Sequence, residues 1–376
     1  QQYYVQPGDS LYKIAEKFVE HEVFDLKQGD IPLFDTEVNS TDLWFAQDRK
    51  ISGFFEKTGY ETVLEKIDSL SEYDLKQQLW IIQTSLHLKY YRHNEGNSSF
   101  IHKTSKPRVK GADTHEALEQ RFYSQLHKVT KHIEQNVNLN NDKYANWLIV
   151  KPENLSGDRY TIAQASYDLY SGMPGEILYL FHYGIFFEDK KSLSLAKQAF
   201  EYFNLYLNKA KYSIMPLGLY AGWGSILFLY TQLGVLTGEK AYFSYVEEIF
   251  NSIDFKDLID RDKNFALVKG SAGFIVACIK YYEQTESIKA LELAEYAADH
   301  LHKNQYETEV GTGWRIASQT PLSGLAHGAS GFMLAFAKLY KITGDKKYKK
   351  IITKLKKKKK SLFSEDHNNW QDCRDF

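Results

Sequence analysis

The pattern of apolar and polar positions along the chain is that of a mostly helical protein. It predicts helices over residues 10–24, 60–70 and 73–91 in the first ninety or so residues. Between the first two of these helices, residues 29–44 contain Gly, Pro, Asn and Ser, so this stretch is predicted to be irregular. A further helix of about 25 residues is expected to begin at Thr114.

A polar stretch separates the chain into two parts. Residues 93–115 combine charged and polar side chains with Gly96, Gly111 and Pro107, which interrupt regular structure. Because domain boundaries fall in such segments, we place a linker at residues 96–112. The first domain is then predicted at residues 1–95 and the second at 113–376.

The second part repeats one phrase four times. Each copy opens on a glycine, continues as an almost wholly apolar helix and is followed by an amphipathic helix with a charged face. The copies recur at intervals of roughly 50 residues, which is the range of helical repeat proteins. Their helix-opening glycines are Gly172, Gly222, Gly270 and Gly328.

This alternation predicts an all-α fold of the α/α toroid type. An apolar helix is buried and an amphipathic helix lies at the surface, so the two kinds form an inner ring wrapped by an outer ring. The opening glycines converge on one face, where missing side chains let the loops approach closely and open a cavity. Four hairpins make an incomplete ring, so we also expect exposed apolar helix faces and a tendency to associate.

Composition narrows the class of protein. The 376 residues are 43% hydrophobic and 25% charged, which suits a globular chain with a sizeable core. A formal net charge of −1 gives no general attraction to nucleic acid. Two cysteines exclude a disulfide framework, and no signal peptide or membrane-length apolar run is present, so a cytoplasmic location is expected. The chain opens on Gln1 rather than Met, which indicates a piece of a longer protein.

His327 is the first candidate for chemistry. It directly precedes the fourth helix-opening glycine, at the position that Ser171, Ala221 and Lys269 occupy in the other copies. A histidine here is either a cap of the inner helix or a group at the cavity mouth that donates and accepts protons. The residues alone leave these two interpretations open.

Three further residues are candidates for the rim of the cavity. Asp168 is either a cavity carboxylate or a cap of the first inner helix. Lys269 is either a basic group of the rim or a solvated lysine, and Trp223 is either a rim residue or a packing residue.

The sequence offers no metal site. Cys278 lies midway along an apolar helix and is expected to be a small core residue. Cys373 has no second ligand nearby at zinc spacing, and the histidines form no compact cluster with cysteine. The lysine run at residues 356–360 either contacts an acidic peptide or is the solvated end of a helix.

Several phrases resemble one enzyme family. "DLYSGMPGEILYL", "VKGSAGFIVAC" and above all "PLSGLAHGASGFMLAFAKLY" resemble the helix-opening phrases of the lanthionine synthetase C-like cyclases. "GDIPLFDTEVNSTDLW" and "LSEYDLKQQLWIIQTSL" are similar to the end of the dehydratase domain of class II lanthipeptide synthetases. The chain therefore resembles a fragment with the end of the dehydratase at residues 1–95 and the first part of the cyclase at 113–376.

The resemblance implies a function. The family's dehydratase phosphorylates and eliminates Ser and Thr hydroxyls of a ribosomally made precursor peptide, and its cyclase adds Cys thiols to the resulting alkenes. A zinc ion held by two Cys and one His lowers the pKa of the thiol, because the thiolate is the nucleophile. His327 matches the histidine that the family uses to handle protons. The resemblance leaves open a membrane-associated export complex as a further partner.

Two departures from the family pattern matter. Ala266 stands where the family commonly has an Asp before the third helix-opening glycine, and the nearby Asp262 is out of register. The family's zinc ligands are expected beyond Phe376, and the residues that bind ATP and Mg are expected upstream of Gln1. We therefore predict that the chain as given binds no stoichiometric zinc and does not cyclise a dehydrated peptide.

Two other functions remain as alternatives. One is a non-catalytic toroid that binds peptides as a scaffold, which the absence of an Asp at residue 266 favours slightly. The other is a carbohydrate-active α/α barrel, which needs paired carboxylates on the cavity face. The loops offer Asp168 and little else for that purpose.

Overall fold

The structure is a computed structural model that describes residue 19 and residues 22–45, 49–94, 115–140, 143–152, 160–210, 215–309, 311–316 and 320–371. The chain divides into two compact units, Gln1–Asn94 and Glu95–Phe376. The predicted linker at residues 96–112 lies outside the described residues.

Among its described residues, the first unit contains helical residues at 19 and 22–27, a small antiparallel sheet and two further helices. The strands β1 (Phe34–Asp35), β2 (Leu43–Phe45) and β3 (Arg49–Ile51) pair in that order. The helices α1 (Gly59–Asp68) and α2 (Glu72–Asn94) follow, and they confirm the helices predicted at 60–70 and 73–91. The stretch predicted to be irregular is indeed not helical, although it contains β1 and part of β2. Most of the helix predicted at 10–24 lies outside the described residues.

The second unit begins with a helix and a three-stranded sheet. The helix α3 (His115–Gln135) corresponds to the one expected from Thr114. The antiparallel strands β4 (Val137–Asn140), β5 (Tyr144–Pro152) and β6 (Tyr160–Gln164) follow it. Trp147 of β5 is buried and its Nε1 donates a hydrogen bond to the carbonyl oxygen of Ile133 at 3.0 Å, which ties the sheet to α3. The pattern of apolar and polar positions did not predict these strands.

The four repeats fold as four helical hairpins. Each apolar phrase forms the first helix of a hairpin and each amphipathic segment forms the second. The hairpins are α4 (Met173–Phe186) with α5 (Lys190–Ala210), α6 (Trp223–Thr237) with α7 (Ala241–Ser252), α9 (Ser271–Thr285) with α10 (Ile288–Lys303), and α11 (Ala329–Thr343) with α12 (Lys346–Ser361).

Short elements fill the connections between these hairpins. The helix α8 (Phe255–Asp260) follows α7, and a two-stranded ribbon of β7 (Tyr306–Thr308) and β8 (Gly311–Gly313) follows α10. A second ribbon of β9 (Phe363–Ser364) and β10 (Asn369–Trp370) follows α12. This second ribbon becomes important because it borders the candidate site.

The apolar helices form the inside of an α/α toroid, as predicted. In chain order α4 packs on α6, α6 on α9 and α9 on α11, and each also packs on its own hairpin partner. Ile226, Leu229 and Leu233 of α6 are completely buried, as are Phe274 and Ile275 of α9. Burial on all sides explains why these helices carry almost no polar side chains.

Some apolar surface remains exposed on α4. Phe186 is 66% exposed and Ile185 is 43% exposed at the end of this helix. This exposure agrees with the expectation that some apolar helix surface remains uncovered.

Candidate functional site

The four loops that precede the inner helices lie side by side on one face of the second unit. The amide of Tyr170 donates to the carbonyl of Tyr220 at 2.9 Å, and that of Tyr220 donates to Val268 at 3.2 Å. The amide of Val268 donates in turn to Ala326 at 3.3 Å. All four residues stand two positions before a helix-opening glycine, so equivalent points of successive repeats are bonded to one another. We call this chain of bonds the loop ladder.

Carbonyl groups of the returning loops accept hydrogen bonds from the first amides of α4, α6 and α11. None of the four helices has a side-chain bond at its N-cap, which is a glycine in every case. Instead, the amide of Met173 donates to Ser166 at 2.9 Å, and that of Ala329 donates to Leu322 at 2.8 Å. The returning loop therefore satisfies amides that a helix start leaves unpaired.

The close approach of the preceding loop to the start of α4 explains why residue 172 is a glycine. A Cβ at Gly172 would lie 2.1 Å from the carbonyl oxygen of Ser166. No residue with a side chain fits at such a distance, so the glycine is required by the approach of the loop. The prediction that missing side chains let the loops approach closely is confirmed.

A cavity of about 600 Å³ opens at the fourth loop. His327 is exposed and lines this cavity with the surrounding loop residues, and the far wall comes from α12 and β10. The lining also includes the side chains of Ser323, Ser330 and Asn369. The imidazole thus borders a space that is large enough for a peptide side chain and open to water.

Lys359 supplies the positive charge of this cavity. Its Nζ donates a 2.8 Å hydrogen bond to Oγ of Ser330 and lies 4.5 Å from the ring centre of Trp370. Oγ of Ser330 donates in turn to the carbonyl of Ser323 at 2.9 Å. The lysine run contained this residue, but the sequence did not distinguish it from its solvated neighbours.

Asp168 organises the first loop. Its Oδ1 accepts hydrogen bonds from the amides of Tyr170 at 3.0 Å and Ser171 at 2.9 Å. This carboxylate therefore holds the turn that leads to Gly172, a role close to the capping interpretation. It does not line the cavity of His327.

The other two rim candidates, Lys269 and Trp223, differ in their exposure to solvent. Lys269 is exposed on the third loop, next to Val268 of the loop ladder and hence beside the loop of His327. Trp223 is only 2% exposed and packs edge-on against Phe255 at 6.0 Å. Trp223 therefore belongs to the core, and its place among the rim candidates is corrected.

Asp262 has a structural function that the sequence pattern did not predict. Its Oδ2 accepts hydrogen bonds from the amide of Ser271 at 2.7 Å and from Oγ of Ser271 at 2.6 Å. Its Oδ1 accepts from the amide of Asn264 at 2.8 Å. This buried carboxylate fixes the third loop against the start of α9, whereas Ala266 is buried and inert. Aspartate two residues before asparagine was the available signal, because such side chains stabilise turns.

The described residues do not fit a zinc site. They contain no group of three or more His, Cys, Asp or Glu side chains arranged to hold a metal ion. Cys278 is completely buried in α9, and burial raises the pKa of its thiol well above the usual range. A metal-binding cysteine needs the opposite shift, because the thiolate is the ligand. Cys373 lies outside the described residues.

Comparison with known families decides the classification. The family model described as "Lanthionine synthetase C-like protein" matches residues 163–375, which include all four hairpins and the cavity of His327. The chain belongs to the lanthionine synthetase C-like family. This membership agrees with the resemblance of the helix-opening phrases. A comparison with curated proteins finds no significant match.

Solved structures resemble this lanthionine synthetase C-like chain only remotely. An unsaturated glucuronyl hydrolase specific for heparin is 15% identical, with a TM-score of 0.38, and the match covers 64% of this chain and 66% of that chain. Cellobiose 2-epimerase from Bacillus thermoamylovorans is 11% identical, with a TM-score of 0.40 and coverage of 68% and 75%. The chain thus spans about two thirds to three quarters of these proteins.

No described helix is both long and apolar enough to cross a membrane.

Proposed function

We propose that this chain is part of a class II lanthipeptide synthetase and carries the proton-transfer histidine of its cyclase. In this proposal residues 1–95 belong to the dehydratase, residues 96–112 link the two domains, and residues 113–376 are the first part of the cyclase. Family membership supports the cyclase. The phrases "GDIPLFDTEVNSTDLW" and "LSEYDLKQQLWIIQTSL" support the dehydratase.

The position of His327 carries the proposal. Of the four helix-opening phrases, only the fourth has a histidine directly before the glycine. This residue, His327, lines the cavity on the loop face. Once a base has removed the thiol proton, the thiolate adds to the dehydro residue: the bond between sulfur and the β-carbon forms, the double bond between the α- and β-carbons breaks, and an enolate remains. His327 would deliver the proton that the α-carbon of this enolate requires.

Lys359 and the loop ladder support the same chemistry. The ammonium group on the cavity wall would stabilise the negative charge that develops on the enolate oxygen. The ladder fixes the loop of His327 through the bond between Val268 and Ala326, so the imidazole stands on a braced backbone. The family generally binds zinc, and the described residues by themselves bring together no group of three or more His, Cys, Asp or Glu side chains that could hold this ion.

The composition of the cavity disfavours the carbohydrate-active alternative. Glycoside hydrolysis uses two carboxyl groups that flank the bond to be cleaved. The described residues that line the cavity of His327 include neither Asp nor Glu. Asp168, the carboxylate available on the loop face from the sequence, is engaged with its own turn.

The proposal is tested with the complete synthetase and its precursor peptide. We expect His327→Ala to leave dehydration unchanged and to slow ring formation by about 10²–10⁴-fold, the usual contribution of a positioned acid or base. Mass spectrometry follows the loss of water, and alkylation of remaining thiols follows ring closure. The matched control is His302→Ala, because His302 is an exposed histidine of α10 outside the cavity.

Two outcomes would contradict this function. Ring closure at the normal rate in the His327→Ala enzyme would remove the proton-transfer role. A complete wild-type protein that binds dehydrated peptide but never consumes its thiols would favour the scaffold alternative instead.

A further inference from the structure

Glu176 stands at a position where the other repeats bury an apolar side chain. It lies four residues after the first helix-opening glycine, on the first turn of α4. The equivalent residues are Ile226, Phe274 and Phe332, and none of them is more than 1% exposed. Glu176 itself is half-buried, and its carboxyl group calls for a partner because burial of an unpaired polar group is costly.

The described structure leaves one oxygen of this carboxyl group without a partner. Oε2 of Glu176 is buried and accepts no hydrogen bond from any described residue. The hydroxyl of nearby Tyr179 is already engaged with the carbonyl of Leu126 at 2.8 Å and with Thr130 at 2.9 Å. Loss of water raises the pKa of Glu176, and only a bond to its own backbone opposes this effect.

A separate cavity of about 420 Å³ lies beside this carboxyl group. We call it the Glu176 pocket. Ile133 of α3 and Ile149 and Val150 of β5 form its apolar wall, and the first loop, residues 169–172, forms its rim. The first loop is also the start of the loop ladder, so the pocket opens on the face that carries the other three loops.

These walls define the chemistry of the ligand. A long side chain with an apolar stem and a cationic tip would cover the isoleucine and valine surface and place its charge beside the carboxylate of Glu176, which lines the pocket. An anionic group would be repelled by the carboxylate, and a purely apolar group would leave Oε2 without a partner. Lysine and arginine side chains have the required form.

We propose that the Glu176 pocket binds a lysine or arginine side chain of the peptide substrate. This rests on the proposed function in one respect, namely that a peptide lies across the loop face. The pocket then selects peptides with a basic residue at a fixed distance from the residue that reaches the cavity of His327.

The test uses two pentapeptides that differ in one side chain. One is acetyl-Gly-Gly-Lys-Gly-Gly-amide, and the other replaces lysine with norleucine, which keeps the stem and removes the charge. Calorimetric titration of the complete protein at about pH 8 should show the lysine peptide binding about ten- to a hundredfold more tightly. In the Glu176→Gln protein this preference should disappear. The control Glu201→Gln, at an exposed position of α5, should keep it.

The pH dependence gives a second measurement. Tyr170 and Tyr179 are the other titratable side chains among the described residues of the pocket. The folded pKa of Glu176 lies above its ordinary value of 4.5, so protonation removes the ion pair as the pH falls through that folded pKa. Binding of the lysine peptide should weaken between about pH 8 and pH 4.5, with no change for norleucine.

Several results would overturn the proposal. They are equal binding of the two peptides, no measurable binding of the lysine peptide, or a lysine preference that survives Glu176→Gln. None of them affects ring closure, so failure of this subsite and failure of the cyclase function are separate observations.

Discussion

We expect Glu176 to destabilise the folded chain by an amount that depends on pH, because burial raises the pKa of its carboxyl group. Its pKa is raised on folding, so the unfolded chain releases the proton more readily than the folded one. We expect Glu176→Ile, which restores the residue type of Ile226, to raise the free energy of unfolding. The advantage should be small at about pH 4, grow as the pH rises through 4.5 and level off above the folded pKa. Urea denaturation at a series of pH values measures it.

The same measurement on Glu201→Gln is the control for a general charge effect. Glu201 is exposed on α5, so its substitution should give no comparable pH-dependent gain. A stability difference between Glu176→Ile and wild type that is constant over the whole pH range would contradict the burial of an ionisable carboxyl.

Single residues divide into those that the sequence indicated and those that it did not. His327 was found because it breaks a repeated position next to a glycine, and its exposure on a cavity agrees with that reading. Glu176 also departs from the repeat, because the other copies have an apolar residue four positions after the glycine. It was not predicted as a site residue, since the candidates were chosen next to the glycines. Lys359 was hidden in a run of identical residues, and only folding places its ammonium group against Ser330.

At the scale of elements, two glycines on the first turns of inner helices differ sharply in their surroundings. A Cβ at Gly273 would lie 2.1 Å from the carbonyl oxygen of Leu267 and 2.2 Å from the amide nitrogen of Leu219. These two backbone atoms are themselves bonded to each other at 3.0 Å. At the equivalent Gly175 the nearest atom is 3.9 Å away.

We therefore expect opposite effects of the same substitution. Gly273→Ala should lower the free energy of unfolding by about 3 kcal/mol, because the backbone atoms it meets cannot rotate away. Gly175→Ala should leave it unchanged or raise it by up to about 1 kcal/mol through better helix propensity. Chemical denaturation of both variants makes the comparison. Equal changes in the free energy of unfolding for the two variants would show that the close packing around Gly273 does not contribute to stability.

The helices were predictable and the strands were not, for a physical reason. An apolar phrase of fifteen or more residues that opens on glycine has one reasonable structure, and α4, α6, α9 and α11 begin directly after the aligned glycines. The strand β5 contains a short run, "NWLIV", whose apolar character fits a strand or a buried helix equally well. Its pairing with β4 and β6 depends on contacts that a local pattern does not contain.

At the scale of the whole second unit, the repeat determined the architecture. Four copies of one phrase predicted the arrangement of inner and outer helices, and the family match over residues 163–375 agrees with it. The candidate site residues were harder to predict. The repeat gives the position of a residue along its helix, but it does not show whether the side chain points to the cavity or to the core. Trp223 follows a helix-opening glycine on the loop face and yet points into the core.

The loop ladder has a consequence for the motion of the second unit. Amide protons in loops usually exchange with solvent within seconds, but those of Tyr170, Tyr220 and Val268 are held by the neighbouring repeat. We expect hydrogen–deuterium exchange, read by mass spectrometry, to show these loop amides protected nearly as long as the inner helices. Exposed loop residues such as Gly324 should exchange at once.

Exchange of the ladder amides at the rate of Gly324 would contradict this expectation. If these amides are protected from exchange, a hairpin cannot unfold without breaking its loop-ladder hydrogen bond to the next hairpin. The hairpins then unfold together rather than one at a time. A solenoid of separate repeats melts from its ends. A set of repeats bonded through their loops should instead open in a single step, and the rim of the cavity would then keep its shape until the whole unit unfolds.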